Sequence, residues 1–170
     1  MRPTSDRVRE AIFDILGSLL SLDGMKVLDL FAGTGAMGIE ALSRGAASAT
    51  FVDRDEEAVS AVRANLVSTG LSGAAATLVK RDALDFLSAA SASRPVPGGD
   101  LDFDVAFCDP PYDFAQWPRL LRDLPAEVAV LESNDEPTVP DSWMVVRCRR
   151  YGSTLVTVVR GAQDRQGGPA

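Results

Sequence analysis

Histidine is absent from the 170 residues, and cysteine occurs only twice, at Cys108 and Cys148. The first absence excludes Ser-His-Asp and Cys-His catalysis and removes the commonest metal ligand. The second excludes a disulfide framework. Neither cysteine sits in a CxxC or other metal-ligand spacing, and both read as small buried apolar side chains. No metal is expected. No apolar run is long enough to span a bilayer, and the opening Met1-Arg2-Pro3-Thr4-Ser5-Asp6 lacks the apolar core of a signal peptide. A cytoplasmic protein away from membranes is the expectation. Its chemistry must rest on carboxylates, backbone groups or a cofactor.

Cations are the minority charge, 17 Lys and Arg against 24 Asp and Glu, for a formal net charge of −7. Such a chain is repelled on average by phosphates, but distribution matters more than the sum. From Arg147 onward stand five arginines (147, 149, 150, 160 and 165) against the single acid Asp164, a local charge of +4. The hydrophobic share of 46% and the length suit one soluble domain with a sizeable core. Residues 1–160 are expected to form it as a monomer, with 1–24 as an N-terminal helical segment and 161–170 as a disordered tail.

The pattern predicts an amphipathic helix over 4–20, with Val8, Ala11, Ile12, Ile15, Leu16 and Leu19 on one face and Thr4, Ser5 or Asp6 as cap. A buried strand over 25–31 runs into Gly33-Thr34-Gly35-Ala36-Met37-Gly38. A helix follows through Ile39, Leu42 and Ser43 to a glycine cap at Gly45. Further strands are predicted at 49–52, 77–80, 103–108 and 128–132, and helices at 55–69, 83–90 and 115–124. Residues 91–102, with Pro95, Pro97, Gly98 and Gly99, read as a surface loop. Strands at 143–149 and 154–160 flank Tyr151-Gly152, a hairpin turn. The fold class is α/β, a mostly parallel seven-stranded sheet with helices on both faces and a closing antiparallel hairpin. Ligands in such sheets bind at the carboxyl ends of the strands. Asp29, Gly33, Asp53, Asp82 and Asp109 are all expected there.

The GxGxxG pattern from Gly33 to Gly38 lets a ligand approach the backbone, but several cofactor classes use such loops. Asp29, four residues before the first glycine, discriminates among them. A carboxylate there repels a pyrophosphate and suits a cation. S-adenosylmethionine carries an ammonium and a sulfonium and no phosphate. Asp53 can accept from ribose hydroxyls and Asp82 from an adenine amino group. The bland alternatives are a loop brace for Asp29 and helix caps for Asp53 and Asp82. Phe31, Thr34 and Gly35 in the loop, Arg54 beside Asp53, Ala83 beside Asp82, and Asp109 complete the expected cofactor-binding set.

Asp109-Pro110-Pro111-Tyr112 follows the fourth strand. Two prolines supply no backbone N–H and stiffen the loop, leaving carbonyls as outward acceptors. An exocyclic aromatic amine needs such acceptors, because its lone pair is delocalised into the ring. A carboxylate and a carbonyl that take its two N–H groups free the lone pair for attack on a methyl group. Tyr112 can stack on an unpaired or flipped-out base. The bland alternative is a rigid surface turn.

These segments resemble a known family. Val27-Leu-Asp-Leu-Phe-Ala-Gly-Thr-Gly-Ala-Met-Gly38, Phe51-Val-Asp53, Arg81-Asp-Ala83 and Asp109-Pro-Pro-Tyr112 are similar to the ordered motifs of class I amino-methyltransferases of Rossmann-like fold. Arg2-Pro-Thr-Ser-Asp-Arg-Val-Arg-Glu-Ala-Ile-Phe-Asp-Ile-Leu16 resembles the opening of RsmD-like 16S ribosomal RNA (guanine-N2)-methyltransferases. Ala41-Leu-Ser-Arg-Gly-Ala46 and Arg150-Tyr-Gly-Ser-Thr154 extend the resemblance across most of residues 2–160. It implies S-adenosylmethionine as cofactor, with S-adenosylhomocysteine as product. The implied partner is 16S ribosomal RNA or a small-subunit assembly intermediate. Asp109, Pro110, Pro111 and Tyr112 become the catalytic group, and Thr4 and Arg7, with Tyr112, the substrate contacts. Family members usually carry a basic, glycine-rich segment before the Arg-Pro-Thr motif, whereas here Arg2 follows Met1. Weakened RNA affinity is the expectation from that departure. Other readings stay open on the motifs alone: an adenine or cytosine amino-methyltransferase acting on DNA, a non-catalytic cofactor-binding module, and, against Asp29, an NAD-dependent oxidoreductase.

Overall fold

The computed structural model describes residues 5–93 and 102–162. Seven strands form one mixed sheet in the order β3-β2-β1-β4-β5-β7-β6, and the first five positions are those of the doubly wound Rossmann-like fold. By packing, the chain divides into two compact units, Met1–Ala83 and Leu84–Ala170.

The first unit contains α1 (Asp6–Leu19), β1 (Lys26–Leu30), α2 (Ala36–Ser43), β2 (Ser48–Asp53), α3 (Glu56–Ser68) and β3 (Ala76–Lys80). Ser5 caps α1, its hydroxyl accepting from the Val8 N–H at 3.3 Å. The buried face of α1 is Val8, Ile12, Phe13, Ile15 and Leu16. Phe13 was not expected there, and Ala11 and Leu19 are half-buried. The Phe13 ring is covered by the guanidinium of Arg44, 4.7 Å from the ring centroid. The three strands are parallel, with Asp29 beside Phe51 and Asp53 beside Lys80 in the register. Val27 to Leu30 are buried without alternation, as a strand covered on both faces requires.

Gly45 and Gly70 end α2 and α3 as the sequence predicts, both at positive φ. At the first, the N–H groups of Gly45 and Ala46 donate to the carbonyls of Leu42 and Ala41. At the second, Gly70 and Leu71 donate to Val67 and Leu66. Both are Schellman closures, which need a left-handed residue after the cap. Asp55 occupies the N-cap position of α3 but makes no side-chain cap. Its own N–H is instead held by Asp53.

The second unit contains α4 (Ala83–Ala92) from its second residue, β4 (Phe103–Cys108), α5 (Trp117–Asp123), β5 (Ala126–Ser133), β6 (Trp143–Tyr151) and β7 (Thr154–Gly161). β4 and β5 are parallel, and β7 runs antiparallel to both β5 and β6. α4 continues through Ser91 and Ala92, so the predicted loop starts later; residues 94–101 of it lie outside the described residues. The Trp143 indole N–H donates to the Leu121 carbonyl at 2.9 Å, tying the start of β6 to α5. The hairpin turn is Gly152-Ser153, one residue later than predicted, because Tyr151 pairs with Thr154. Gly152 supplies the positive φ at the first central position. Gly161 and Ala162 belong to the ordered hairpin rather than to the predicted tail: Gly161 closes β7, and the Ala162 N–H donates to the Ser142 carbonyl at 2.9 Å. The rest of that predicted tail, 163–170, lies outside the described residues. Among the described residues no helix is long and apolar enough to cross a membrane.

Candidate functional site

In the first unit the loop after β1 turns sharply. Phe31, Gly33 and Gly35 have φ of 56°, 57° and 79°. Glycine adopts such values freely, whereas a bulky residue there is strained by about 1–2 kcal/mol. Phe31 is the only non-glycine residue with positive φ among those described, and strain of this kind persists only where surrounding bonds overdetermine the backbone.

Those bonds come from three elements. From β2, the Asp53 carboxylate accepts from the Gly33 N–H at 2.9 Å and, through its other oxygen, from the Asp55 N–H at 3.0 Å. From β1, the Asp29 carboxylate accepts from the Gly38 N–H at 3.0 Å. From α3, the Asn65 amide donates to the Thr34 carbonyl at 2.9 Å. Within the loop the Gly35 N–H donates to the Ala32 carbonyl at 2.8 Å, and Ala32 in turn donates to Val52 at 3.0 Å. Gly38 permits close packing of α2 on the sheet, since a Cβ there would stand 2.4 Å from Cε1 of Phe51.

These bonds change the chemistry of the glycine loop. In a dinucleotide site the loop and helix N–H groups face a pyrophosphate. Here two of them, on Gly33 and Gly38, are taken by carboxylates. The loop therefore carries negative charge and suits a cationic ligand. Asp29, 3% exposed, braces the loop from below. Asp53 is half-buried and keeps further lone pairs for hydroxyl donors. The Arg81 N–H donates to the Asp53 carbonyl at 2.9 Å. Asp82 and the buried Ala83 thereby follow directly beside the end of β2. Arg54 is exposed next to Asp53. The fold thus brings together Asp29, Phe31, Gly33, Thr34, Gly35, Asp53, Arg54, Asp82 and Ala83 at the carboxyl ends of β1, β2 and β3. Sequence reasoning missed Asn65. Its signal was a polar residue three positions after Val62, beside the buried face of α3.

In the second unit Asp109-Pro110-Pro111-Tyr112 follows β4 directly. Asp109 is half-buried and Pro110 buried, while Pro111 and Tyr112 are exposed. The Phe114 N–H donates to the Pro111 carbonyl at 2.9 Å, closing a turn with Tyr112 at its tip. Among the described residues no turn or loop N–H donates to the Pro110 carbonyl. Phe114 packs edge-on against the buried Trp117, with ring centroids 5.1 Å apart, and anchors the turn. Tyr112, 83% exposed, presents a free ring.

The remaining expected contacts divide. Arg7 lies exposed in the first turn of α1, and Thr4 lies outside the described residues.

Comparison with known proteins shows the family of this chain. The Ribosomal RNA small subunit methyltransferase D of Escherichia coli K12 is 36% identical over 157 residues, covering 86% of this chain and 73% of the relative. Its namesake from Haemophilus influenzae is 31% identical over 161 residues, covering 89% and 79%. The solved structure of yhhF from Escherichia coli, described as a candidate methyltransferase, superposes with a TM-score of 0.76 at 32% identity, covering 96% of this chain and 89% of that one. The family described as conserved hypothetical protein 95 matches residues 1–160, and the chain belongs to it, the family of the RsmD-like methyltransferases.

Proposed function

We propose that this protein is an S-adenosylmethionine-dependent methyltransferase that methylates the exocyclic N2 of a guanine in 16S ribosomal RNA, within the cytoplasm. The observation that carries the cofactor reading is the occupation of the Gly33 and Gly38 N–H groups by the Asp53 and Asp29 carboxylates. A loop so arranged disfavours the pyrophosphate of NAD and favours a ligand bearing an ammonium and a sulfonium. The substrate reading is supported by the relatives named Ribosomal RNA small subunit methyltransferase D.

The cofactor supplies an electrophilic methyl group on a sulfonium. Asp53 would hold its ribose hydroxyls, and Asp82 would accept from its adenine amino group. Asp29 acts through the loop, holding Gly38 and the start of α2 in place. At the other end of the reaction, the Asp109 carboxylate and the Pro110 carbonyl accept the two N–H groups of the guanine amine. This favours a more tetrahedral nitrogen and frees its lone pair. The freed lone pair would take the methyl group that bound S-adenosylmethionine supplies, with S-adenosylhomocysteine as the leaving product. The proton shed by the nitrogen passes to Asp109 and then to water. Tyr112 stacks on the flipped-out base.

The test is transfer of a radiolabelled methyl group into 16S ribosomal RNA, followed by mass-spectrometric mapping of the product base. Label at guanine N2, lost in Asp109→Ala, is the expected result. Label on an adenine or cytosine amine would replace guanine with another base. Undiminished transfer by Asp109→Ala would remove that residue from the chemistry.

A further inference from the structure

The hairpin from Trp143 to Ala162 carries four arginines and no carboxylate, in a chain with 24 acids and a net charge of −7. β6 is an edge strand of the sheet. Every one of its residues from Met144 to Arg150 is exposed, including the apolar Met144, Val145 and Val146. Among the described residues the ion pairs involve Arg9, Arg44, Lys80 and Arg122, and none involves Arg147, Arg149, Arg150 or Arg160.

A bulge decides where these arginines point. Met144 pairs with Arg160 and Val145 with Val159, but the register then shifts so that Arg147 pairs with Val158 and Arg149 with Val156. Residues opposite one another share a face, and faces alternate along a strand. On β7, positions 156, 158 and 160 share one face. Without the bulge Arg147 would oppose Thr157 and lie on the other face. With it, Arg147 and Arg149 join Arg160 on one side of the hairpin, while Arg150, opposite Leu155, lies on the other. The Arg160 Nε is buried and has no hydrogen-bond partner. Glu132 of β5, opposite Val156, lies on the same face but is buried at 4% exposure, so the exposed Arg147 and Arg149 have no carboxylate within the hairpin beside them.

We infer that this face, formed by Arg147, Arg149 and Arg160, binds phosphates of the RNA substrate backbone. The inference rests on the proposed action on RNA. Guanidinium forks match phosphate oxygens in pairs and stay charged at all physiological pH. The exposed Met144 on the same face adds apolar contact. Placed here, the arginines offset the repulsion that the acidic remainder of the chain exerts on RNA. The competing explanation is that they only guard an edge strand against pairing with another chain.

The test measures binding of the full chain to a 16S ribosomal RNA fragment by fluorescence anisotropy across a salt series, with methyl transfer followed in parallel. For R147Q/R149Q the expected result is a 10- to 100-fold weaker affinity near physiological salt, by about the scale set for lost phosphate contacts, and a log–log salt slope shallower by about 1.5. R150Q, on the opposite face, is expected to change the slope by less than half as much. R147K/R149K is expected to keep most of the slope. Unchanged Tm and S-adenosylhomocysteine affinity verify folding. Should the double variant not fold, the single variants R147Q and R149Q are each expected to lower the slope by about 0.7–0.9.

An equal loss in R150Q would reduce the effect to net charge and overturn the face. Unchanged RNA affinity and slope, with self-association appearing in light scattering, would leave only the edge guard. Methyl transfer by the unsubstituted chain together with an unaltered slope in R147Q/R149Q overturns the surface alone. Salt-sensitive RNA binding lost in the double variant, with no methylation by any form, sustains the surface and overturns the proposed activity. No RNA binding by the unsubstituted chain overturns both.

Discussion

The buried carboxylate of Asp29 accepts the N–H of Gly38 at 3.0 Å, nine residues further along the chain. This bond joins the end of β1 to the first turn of α2 and takes an N–H that a phosphate ligand would otherwise use. A carboxylate near a helix N-terminus is also favoured by the helix dipole.

Asp29→Asn is therefore expected to weaken both loop and ligand. It replaces a charge-assisted hydrogen bond with a neutral one, a loss of about 1–1.5 kcal/mol. Thermal unfolding should show a lowered Tm, and calorimetry a weaker affinity for S-adenosylhomocysteine. The unsubstituted chain should bind that compound and not NAD. Preference for NAD would overturn the cofactor reading.

Gly38→Ala tests the packing. Its Cβ would lie 2.4 Å from Cε1 and 2.8 Å from Cζ of Phe51. Overpacking of this kind costs about 1–3 kcal/mol. Urea denaturation should register the loss, and adding Phe51→Leu should recover part of it. A neutral Gly38→Ala would mean that Phe51 moves freely, against its 2% exposure.

Asn65→Ala removes the bond to the Thr34 carbonyl. A stability loss of about 0.5–1.5 kcal/mol is expected. Affinity for S-adenosylhomocysteine should fall as well, because the loop is held from α3 by this side chain. If the affinity holds while Tm drops, Asn65 serves the helix alone.

Tyr112→Ala should leave stability untouched, since the ring is 83% exposed. Loss of base stacking is worth about 1–3 kcal/mol, so kcat/KM for RNA should fall by roughly 5- to 150-fold at that energy scale. Tyr112→Phe should retain most activity. Equal losses in both variants would point to the hydroxyl instead of the ring.

Several features of this fold were legible in advance because their causes are local. The spacing of Val8, Ile12, Ile15 and Leu16 marks a helix face whatever surrounds it. Gly45 and Gly70 mark helix ends because left-handed backbone excludes most side chains. The glycine loop and the Asp109-Pro110-Pro111-Tyr112 turn are equally local, for each is dictated by the backbone limits of glycine or proline. Phe13 was missed as a core residue because its burial depends on which elements cover it.

The sequence by itself determined the order and type of the elements, the glycine turn after β1 and the rigid turn after β4, since periodicity and backbone sterics act over a few residues. The tertiary structure alone decided which groups meet. It gave the Gly33 and Gly38 N–H groups to Asp53 and Asp29, and it brought Asn65 from α3 onto the carbonyl of Thr34. It also turned Arg147 and Arg149 to the side of Arg160 through one extra residue in β6. Those partnerships span up to 31 positions in the chain. They depend on strand register and helix docking, which burial of the whole core sets and no short stretch of sequence encodes.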